Sequence, residues 1–417
     1  MGAPSNPSGM RYLRASTAVC SLLLIVSAAA AAPTRDGAPL KGEGKGLEIV
    51  ANIPYAGGTD MEFATIRGRD YAFAAAAPGV GGAEQGALRV IDVTKPERPK
   101  LKATLACSLY QGDVQISHDK RTLILGADSA GGPDSCLAVG KSGFMTVDIS
   151  NPLKPKAIGF AEIARGSHNT TAHPTKPFVY NSDSDQTNRG NIEIWSIKNP
   201  AKPEKVADFT TVTHSPHDIS FNEDGTRAVT AARTHFDILD TTDPAAPALL
   251  FKGQCPGCYL THDAKFTPDG SHIILGDEAS GGGAHPCPGG ALYFYELQGS
   301  EAQPVAVLTG VYEPNEIVFA RDGQSSPASC TSHVFDISED STKLAISWYS
   351  AGTRYLDIST STGIAMGEER VHEGATELGW FMPDGGVTWS SKFFKGPYIY
   401  SNDEFRGFDV FKIEKKG

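Results

Sequence analysis

The chain has 417 residues, which is long for one ordinary domain and therefore indicates either two domains or a single repeat architecture. Glycine (45) and proline (27) are abundant and no long amphipathic helical pattern occurs, so many short strands joined by turns are expected. The formal net charge is -11 and no basic groove is visible in the sequence, which argues against nucleic acid or an anionic membrane as a partner.

The first segment of the chain has the pattern of an export signal. Arg11 and Arg14 precede the apolar run AVCSLLLIVSAAAAA, which ends in small residues suited to cleavage near Ala30–Ala32. The run is short for a membrane span, and an uncleaved anchor is the alternative. We predict a signal peptide over residues 1–32, a flexible mature N-terminus over 33–46, and a secreted or periplasmic protein that has no membrane span after cleavage.

A repeated motif follows along the rest of the chain. It reads hydrophobic-x-Asp-hydrophobic-(Ser/Thr)-x-Pro-x-x-Pro, with copies at 88–100, 144–156, 192–204 and 236–248 and a weaker copy at 353–363. Each copy predicts a strand that enters a proline-restrained turn, after which another strand begins. A hairpin with an Asp-Gly type of turn precedes each copy. One unit therefore has four short antiparallel strands, which we label a, b, c and d in chain order.

Seven such units can be laid out from the starts of their a strands. The starts lie at 59–63, 112–116, 168–172, 217–221, 262–266, 333–337 and 376–380. Most are 43–56 residues apart, which is typical of propeller blades. The last unit lacks its outer strand, and residues 47–54 can supply it, which would leave no free edge. The sequence predicts an all-β, seven-bladed β-propeller of four-stranded antiparallel blades over residues 47–417.

The repeat also carries a family resemblance. The Val-Asp-hydrophobic-Ser-x-Pro-x-x-Pro turns, with SWYSAGTRYLDIS (347–359) and YIYSNDEFRGFDVFKI (398–413), resemble the LVIVD-repeat family of exported β-propellers. The similarity covers nearly all of the mature chain and implies the fold and export. It implies no activity, because the family is defined by its repeat and propellers host enzymes, binding scaffolds and interaction platforms alike.

Four histidines fall in one column when the hairpins are aligned. The column reads Thr59, Gly112, His168, His217, His262, His333 and Thr376 for the seven blades. Strand a is innermost in a blade, so the histidines of four consecutive blades should ring part of one channel mouth. Imidazoles with an open coordination position suit a transition metal, with iron or copper favoured and zinc also possible.

Other polar residues are expected near the same mouth. They are His214, Asp218, Asp263, Asp183, Asp277, Glu316 and Tyr349. Such side chains could orient the histidine rings, as carboxylates do around metal sites. They could equally end strands and satisfy the backbone of turns.

The six cysteines that follow the signal sequence predict disulfide bonds, as an even number does in an exported protein. Two pairs have the same separation of 29 residues, and a third pair remains, which gives Cys107–Cys136, Cys258–Cys287 and Cys255–Cys330. Six cysteines allow fifteen connectivities. The Cys255-x-x-Cys258 spacing would also fit half a zinc site or a redox motif.

Three functions remain open at this point. A metal centre would make the protein a metal-dependent oxidoreductase, similar in outline to the four-histidine iron of carotenoid oxygenases and the copper of methanethiol oxidases, whose characteristic sequences do not occur in this chain. Alternatively, the His/Asp column is structural and the protein is a monomeric, non-catalytic scaffold whose rim loops bind a small molecule, a carbohydrate or a protein partner. A metal-independent hydrolase or lyase would need a histidine base with an acid such as Asp183 or Glu316.

Overall fold

Seven antiparallel sheets follow one another along the chain. The computed structural model describes residues 41–107, 111–128, 137, 140–183, 191–210, 215–279, 290–314, 330–359 and 375–414. Residues 38–417 form one compact unit. The predicted signal peptide lies outside the described residues. In the ranges that are described, no helix has the length and apolar character needed to cross a membrane.

The strands are as follows. Two precede the first blade, β1 (Gly42–Lys45) and β2 (Leu47–Pro54). Blade 1 has β3 (Gly58–Ile66), β4 (Arg69–Ala76), β5 (Ala87–Asp92) and β6 (Lys100–Ala106), with a 3-10 turn at Val80–Gly82. Blade 2 has β7 (Gln111–Ile116), β8 (Thr122–Ala127), β9 (Gly143–Asp148) and β10 (Lys156–Glu162). Blade 3 has β11 (Asn169–Ala172), β12 (Phe178–Ser182), β13 (Asn191–Ser196) and β14 (Glu204–Thr210).

The remaining blades follow the same scheme. Blade 4 has β15 (Asp218–Phe221), β16 (Arg227–Ala231), β17 (His235–Asp240) and β18 (Ala248–Gln254). Blade 5 has β19 (Thr261–Phe266), β20 (His272–Asp277), β21 (Leu292–Ser300) and β22 (Gln303–Tyr312). Blade 6 has β23 (Phe335–Ile337), β24 (Lys343–Ser347), β25 (Thr353–Asp357) and β26 (Thr376–Pro383). Blade 7 has β27 (Thr388–Phe393), β28 (Tyr398–Asp403) and β29 (Gly407–Ile413).

The N-terminal strand closes the ring as predicted. Strand β2 pairs antiparallel with β29, with Leu47 opposite Ile413 and Pro54 opposite Gly407. It is therefore the outer strand of blade 7, in the sheet order β2-β29-β28-β27. An N-terminal strand and the last described strand are held together, and the seven-bladed prediction is confirmed.

The seventh blade begins later than the sequence alignment indicated. Residues 376–380 belong to β26, the outer strand of blade 6, and the inner strand of blade 7 is Thr388–Phe393. The assignment of Thr376 to the inner-strand column was therefore wrong. The weak motif copy of blade 6 lacks the Pro-x-x-Pro turn, and its c–d connection is long, running from Ile358 to Ala375. Because of this length, the fourth strand of blade 6 was assigned to blade 7 in the sequence alignment.

The segment expected to be flexible at the mature N-terminus is partly ordered. Strand β1 pairs antiparallel with β26, with Glu43 opposite Met382, and so adds a fifth strand to blade 6. The expectation of flexibility was wrong for residues 42–45. The edge of β26 offers backbone N–H and C=O groups that these residues can pair with.

The hydrophobic core lies between blades. Seven clusters of buried side chains each combine residues of two neighbouring blades. Strand b of a blade is buried on both faces, as in β8, where all six residues are buried. Along an outer strand such as β14, exposed residues alternate with partly buried ones. No blade can bury both faces alone, so the ring has to form as a whole.

The repeated Asp-hydrophobic-(Ser/Thr) motif has a local structural role. Asp148 Oδ1 accepts a hydrogen bond from the backbone N–H of Ser150 at 2.9 Å, and Asp240 accepts one from Thr242 at the same distance. The carboxylate thus turns the chain at the end of strand c, as short polar side chains do in turns. The motif therefore specifies the fold rather than an activity.

Ring closure gives a testable consequence. A variant that begins at residue 55 lacks β1 and β2 and leaves β29 as an open edge, so it should lose cooperative thermal unfolding or aggregate. A control variant that begins at residue 41 keeps both strands and should retain a cooperative transition. Calorimetry and near-UV circular dichroism of the two variants measure this. A cooperative, native-like variant without residues 1–54 would contradict the role of β2.

Candidate metal centre

The four histidines of the column form a continuous arc of ring contacts at the inner strands. The ring centroids of His168 and His217 are 4.4 Å apart. Those of His217 and His262, and of His262 and His333, are each 4.0 Å apart. All except His168 are buried, and His168 is half-buried. The structure therefore brings the rings of these four histidines together.

Two of the histidines are fastened to the backbone of the next blade. The Nδ1–H of His217 donates to the carbonyl of His262 at 2.9 Å, and the Nδ1–H of His333 donates to the carbonyl of Trp389 at 2.6 Å. A carbonyl oxygen can only accept, so the proton lies on Nδ1 in both rings. Each Nε2 atom is then left with its lone pair. This is the tautomer that metal-binding histidines adopt through such outer contacts.

The backbone contacts also show which residue replaces histidine in blade 7. Thr261, next to His262, forms an isolated antiparallel β-bridge with Arg233. Thr388, next to Trp389, forms the corresponding bridge with Tyr349. Trp389 therefore takes the column position that the sequence alignment gave to Thr376. Its ring meets the His333 ring edge-on at a centroid distance of 4.7 Å.

Glu278 completes the arc, and sequence reasoning missed it. Its Oε2 lies 4.0 Å from Nε2 of His262, and its Oε1 lies 3.9 Å from Nε2 of His333. The Tyr349 hydroxyl donates to Oε1 at 2.8 Å. A signal was available, because Glu278 directly follows strand β20, which ends at Asp277, and Tyr349 lies two residues after the matching strand β24 of blade 6.

The convergence is tightest for three of these residues. The ligand atoms of His217, His262 and Glu278 all lie within 4.8 Å of one another. In the described part of the chain, the four histidines do not converge within that distance as one set. The single four-histidine site expected from the sequence is therefore an arc with a two-histidine, one-carboxylate centre. His168 and His333 flank it, with His168 Nε2 at 2.8 Å from His217 Nε2.

Burial sets the protonation states of the arc. It lowers the pKa of His217 and of His262 well below the ordinary value, and neighbouring histidines lower both further. Burial also lowers the pKa of His333 to about 4, although its bond to Trp389 acts in the opposite direction. Burial raises the pKa of Glu278 to about 7, against the hydrogen bond from Tyr349. The three imidazoles are therefore neutral at pH 7, which is the form that binds metals.

Tyr349 is held in an unusual backbone conformation. Its φ is 41°, in the left-handed region that residues other than glycine rarely adopt. The turn is fixed by hydrogen bonds from Gly352 N to the Tyr349 carbonyl and from Thr388 N to the same oxygen. Strained residues of this kind persist where the surrounding structure holds them, often at functional sites. Here the conformation carries the phenol to Glu278.

The other predicted rim residues have structural contacts or lie elsewhere. Asp277 Oδ1 accepts the backbone N–H groups of Tyr259 and Leu260, at 2.7 and 2.8 Å. Asp183 pairs with Arg165 at 3.2 Å. Asp218 and Asp263 lie in the channel beyond the histidines, as described below. His214 and Glu316 lie outside the described residues.

The disulfide pairing differs from the prediction. Cys255 and Cys258 are joined to each other, with a Cα–Cα distance of 5.4 Å, so the predicted Cys255–Cys330 and Cys258–Cys287 pairs were wrong. Cys107 and Cys330 each take part in a disulfide bond as well. Cys136 and Cys287 lie outside the described residues, so the Cys107–Cys136 pair stays a prediction. Two residues after the bridge, the Leu260 carbonyl accepts the backbone N–H of Glu278 at 2.8 Å.

A cavity of about 320 Å³ extends from the histidines along the channel. The four histidines and Trp389 line one end, and residues of a–b turns, such as Pro174, Glu223 and Pro268, line the other. The histidines are therefore reached along the channel from the face that carries the a–b turns. We call this cavity the channel chamber.

A second pocket is basic and lies in blade 1. It measures about 460 Å³ and is lined by Gly68, Arg69, Asp92, Thr94, Lys95, Arg98, Lys100 and Lys102. It shares no lining residue with the channel chamber, and the two sites are separate.

Comparisons with known proteins support the fold alone. No protein-family model and no curated protein matches the chain. The β-propeller domain of Cps50 (Swd1) from Myceliophteria thermophila is similar with a TM-score of 0.60 and 9% identity, over 88% of this chain and 100% of that one. A functionally unknown protein from Desulfotomaculum acetoxidans has a TM-score of 0.53 and 16% identity, over 77% and 88%. At such identities the likeness carries no activity to this chain.

A buried carboxyl group of the channel chamber predicts a pH dependence of stability. Burial, together with the nearby Asp60, raises the pKa of Asp113 to about 7, against the hydrogen bonds from Thr170. The folded state thus holds a proton that the unfolded state releases near pH 4, so this contribution to stability falls as the pH rises from about 4 to about 7. Asp113→Asn should stabilise the protein at pH 8 by on the order of a few kcal/mol more than at pH 5.

Urea unfolding of the variant and the wild type at both pH values measures the effect. Asn can still accept the two hydrogen bonds that Thr170 donates to Asp113, at 2.6 and 2.9 Å. Glu301→Gln is the control, because that side chain is 96% exposed. An equal stability difference at pH 5 and pH 8 would show that Asp113 is not protonated in the folded state.

Proposed function

We propose that this protein is a β-propeller that holds one transition-metal ion at the channel and acts as a metal-dependent oxidoreductase. The observation that carries the proposal is the convergence of His217, His262 and Glu278, whose ligand atoms lie within 4.8 Å of one another. His333 and His168 flank this set and extend the supply of imidazole ligands. Neutral imidazoles and a carboxylate facing one point in a buried cavity are the usual components of a metal site.

The state of the individual rings supports this reading. The backbone carbonyls that hold the Nδ1–H groups of His217 and His333 leave their Nε2 atoms as ligands. The Nδ1 atom of His262 is buried and has no hydrogen-bond partner among the described residues. A buried polar nitrogen without a partner is costly, and coordination of an ion by this ring would fix its orientation.

The donor set favours iron. Two histidines and one carboxylate with open positions are typical of non-haem Fe(II) sites, while copper and zinc also accept imidazole ligands. When bound, such an ion supplies Lewis acidity, and iron or copper supplies one-electron chemistry. The residues of this chain bind and orient it: Tyr349 holds Glu278, and the carbonyls of His262 and Trp389 hold the rings of His217 and His333.

We also propose that the protein is exported and is of the LVIVD-repeat type. The support is the charged and apolar pattern of residues 1–32, the repeat motif, and the presence of disulfide-bonded cysteines, which are typical of oxidising compartments. The secreted or periplasmic location and the removal of the signal peptide remain part of this proposal.

A non-catalytic scaffold is the second candidate, and one observation favours it. The bonds of His217 and His333 to the next blade are inter-blade contacts that a purely structural column would also make. The Thr59 hydroxyl makes a comparable bond to the Gly112 carbonyl, at 3.4 Å, in blades without histidine. The scaffold reading accounts for Glu278 as the acceptor of the Tyr349 hydroxyl, but it leaves the unpartnered Nδ1 of His262 without a role, so the metal centre is preferred.

Metal content tests the proposal directly. The purified mature protein should contain close to one equivalent of iron, copper or zinc by elemental mass spectrometry, before or after reconstitution. The His217→Ala/His262→Ala double variant should lose it while still unfolding cooperatively, because two of the three converging ligands are removed. His118→Ala is the control, since His118 is exposed. A wild-type protein that binds none of the three metals would leave the histidines as inter-blade contacts.

The Tyr349 hydroxyl should increase the affinity for the metal without coordinating it. Tyr349→Phe keeps the ring and removes the hydroxyl that holds Glu278, so metal affinity should fall about 10- to 100-fold, as is usual for such outer contacts. Competition with a chelator of known affinity measures the change. Tyr180→Phe is the matched control, because its buried hydroxyl bonds to the Pro244 carbonyl in another part of the ring. If both variants keep wild-type affinity, the hydrogen bond from Tyr349 to Glu278 does not contribute to metal binding.

A further inference from the structure

Beyond the histidine arc, the channel chamber is lined by more carboxyl groups than ammonium groups. Its lining includes the inner-strand carboxyl groups of Asp60, Glu62, Asp113, Asp218 and Asp263 and the ammonium groups of Lys265 and Lys392. The volume of about 320 Å³ falls at the lower end of the range for small-molecule sites. The composition of the chamber therefore favours a small, positively charged ligand.

The two lysines already form ion pairs with some of these carboxyl groups. Lys392 Nζ lies 3.1 Å from Asp60 Oδ1 and 2.6 Å from Glu62 Oε1. Lys265 Nζ lies 3.2 Å from Asp263 Oδ2 and donates to the Phe335 carbonyl. These contacts compensate Asp60, Glu62 and one oxygen of Asp263. Asp113 is satisfied in a different way, by two hydrogen bonds from Thr170.

Asp218 and the second oxygen of Asp263 are left without a cation. Asp218 accepts one hydrogen bond among the described residues, from the adjacent Ile219 N–H at 2.7 Å. Asp263 is 1% exposed, and its Oδ1 has no hydrogen-bond partner in the described part of the chain. A buried carboxylate oxygen without a partner is costly, so its retention next to a cavity points to a ligand that supplies donors.

The spacing of the carboxylates favours an ammonium group over a metal ion. Within the described residues, the one group of three metal-type ligands that converges within 4.8 Å is His217, His262 and Glu278. The chamber carboxylates do not form another. An ammonium group has three donors and binds acceptors at hydrogen-bond distance. The chamber already holds two lysine ammonium groups in this way.

We propose that the channel chamber binds a small alkylamine through its ammonium group, which donates to Asp218 and to Oδ1 of Asp263. The alkyl part lies toward Phe221 and Phe266, which line the same cavity. The excess of carboxylates disfavours ligands that carry a negative charge, including amino acids. This site does not depend on the proposed metal, although the two share one cavity.

The test uses the mature protein in metal-free and metal-loaded form and three ligands of similar size. Isothermal titration calorimetry should detect 1-aminobutane, while 1-butanol and butyrate should bind at least about tenfold more weakly, since charge-assisted hydrogen bonds exceed neutral ones. Asp218→Asn should weaken 1-aminobutane binding by about tenfold and raise Tm, because a partly buried carboxylate that has no ion-pair partner among the described residues is removed. Glu301→Gln, at an exposed site, should change neither.

The outcomes separate this proposal from the metal centre. Equal affinity for the amine and the alcohol, or unchanged amine binding in Asp218→Asn, would overturn it. Asp218-dependent binding of Ca²⁺ without binding of the amine would overturn the assignment to an amine. The ligand comparison on the wild type does not depend on how the variant folds. Because the metal-free protein is measured, a failure to bind metal leaves the result interpretable.

Discussion

The structure depends on the closure of the ring by β2. Strand b of each blade is buried on both faces, so each blade needs a neighbour on both sides, and the pairing of Leu47–Pro54 with β29 completes the seventh blade and joins the two ends of the ring. Leu47 and Ile49 then pack with Phe381 and Phe411 between blades 6 and 7. The ring holds the inner strands of consecutive blades side by side. The histidine arc is a consequence of this arrangement, since each histidine comes from a different blade.

The histidines serve the fold and the cavity with different atoms of the same ring. Nδ1–H of His217 or His333 holds the next blade, while Nε2 faces Glu278 and the neighbouring rings. The structural and the metal-binding interpretation are therefore compatible. The backbone contact sets the tautomer and the orientation that a metal ligand requires. Glu278 and the strained Tyr349 also join neighbouring blades through their hydrogen bond, but a buried carboxyl group beside neutral imidazoles is costly for a contact that serves the fold alone.

The channel is where this protein departs from the rules of a stable core. Ionisable side chains are seldom fully buried, yet Asp60, Asp263 and Lys392 are all below one-tenth exposed. Part of the charge is balanced by lysine–carboxylate pairs, and Asp263 Oδ1 is not balanced by any described residue. Proteins keep such costly arrangements mainly where they bind or react. The arc and the chamber are adjacent, so one cavity offers both imidazole nitrogens and carboxylate oxygens.

Most of the fold follows from local chemistry. The Asp-(Ser/Thr) turns and the hairpins each involve a few residues, and the closing strand 47–54 makes one pairing. Because these patterns are visible in the sequence, they placed six blades and the four histidines correctly. The tertiary structure alone decided the start of blade 7, because TELGW fits an inner or an outer strand equally well. It also decided the Cys255–Cys258 bridge and the approach of Glu278 to His217 and His262. Distances between side chains of different blades depend on how the closed ring sets each strand, and no local pattern in the sequence records that geometry.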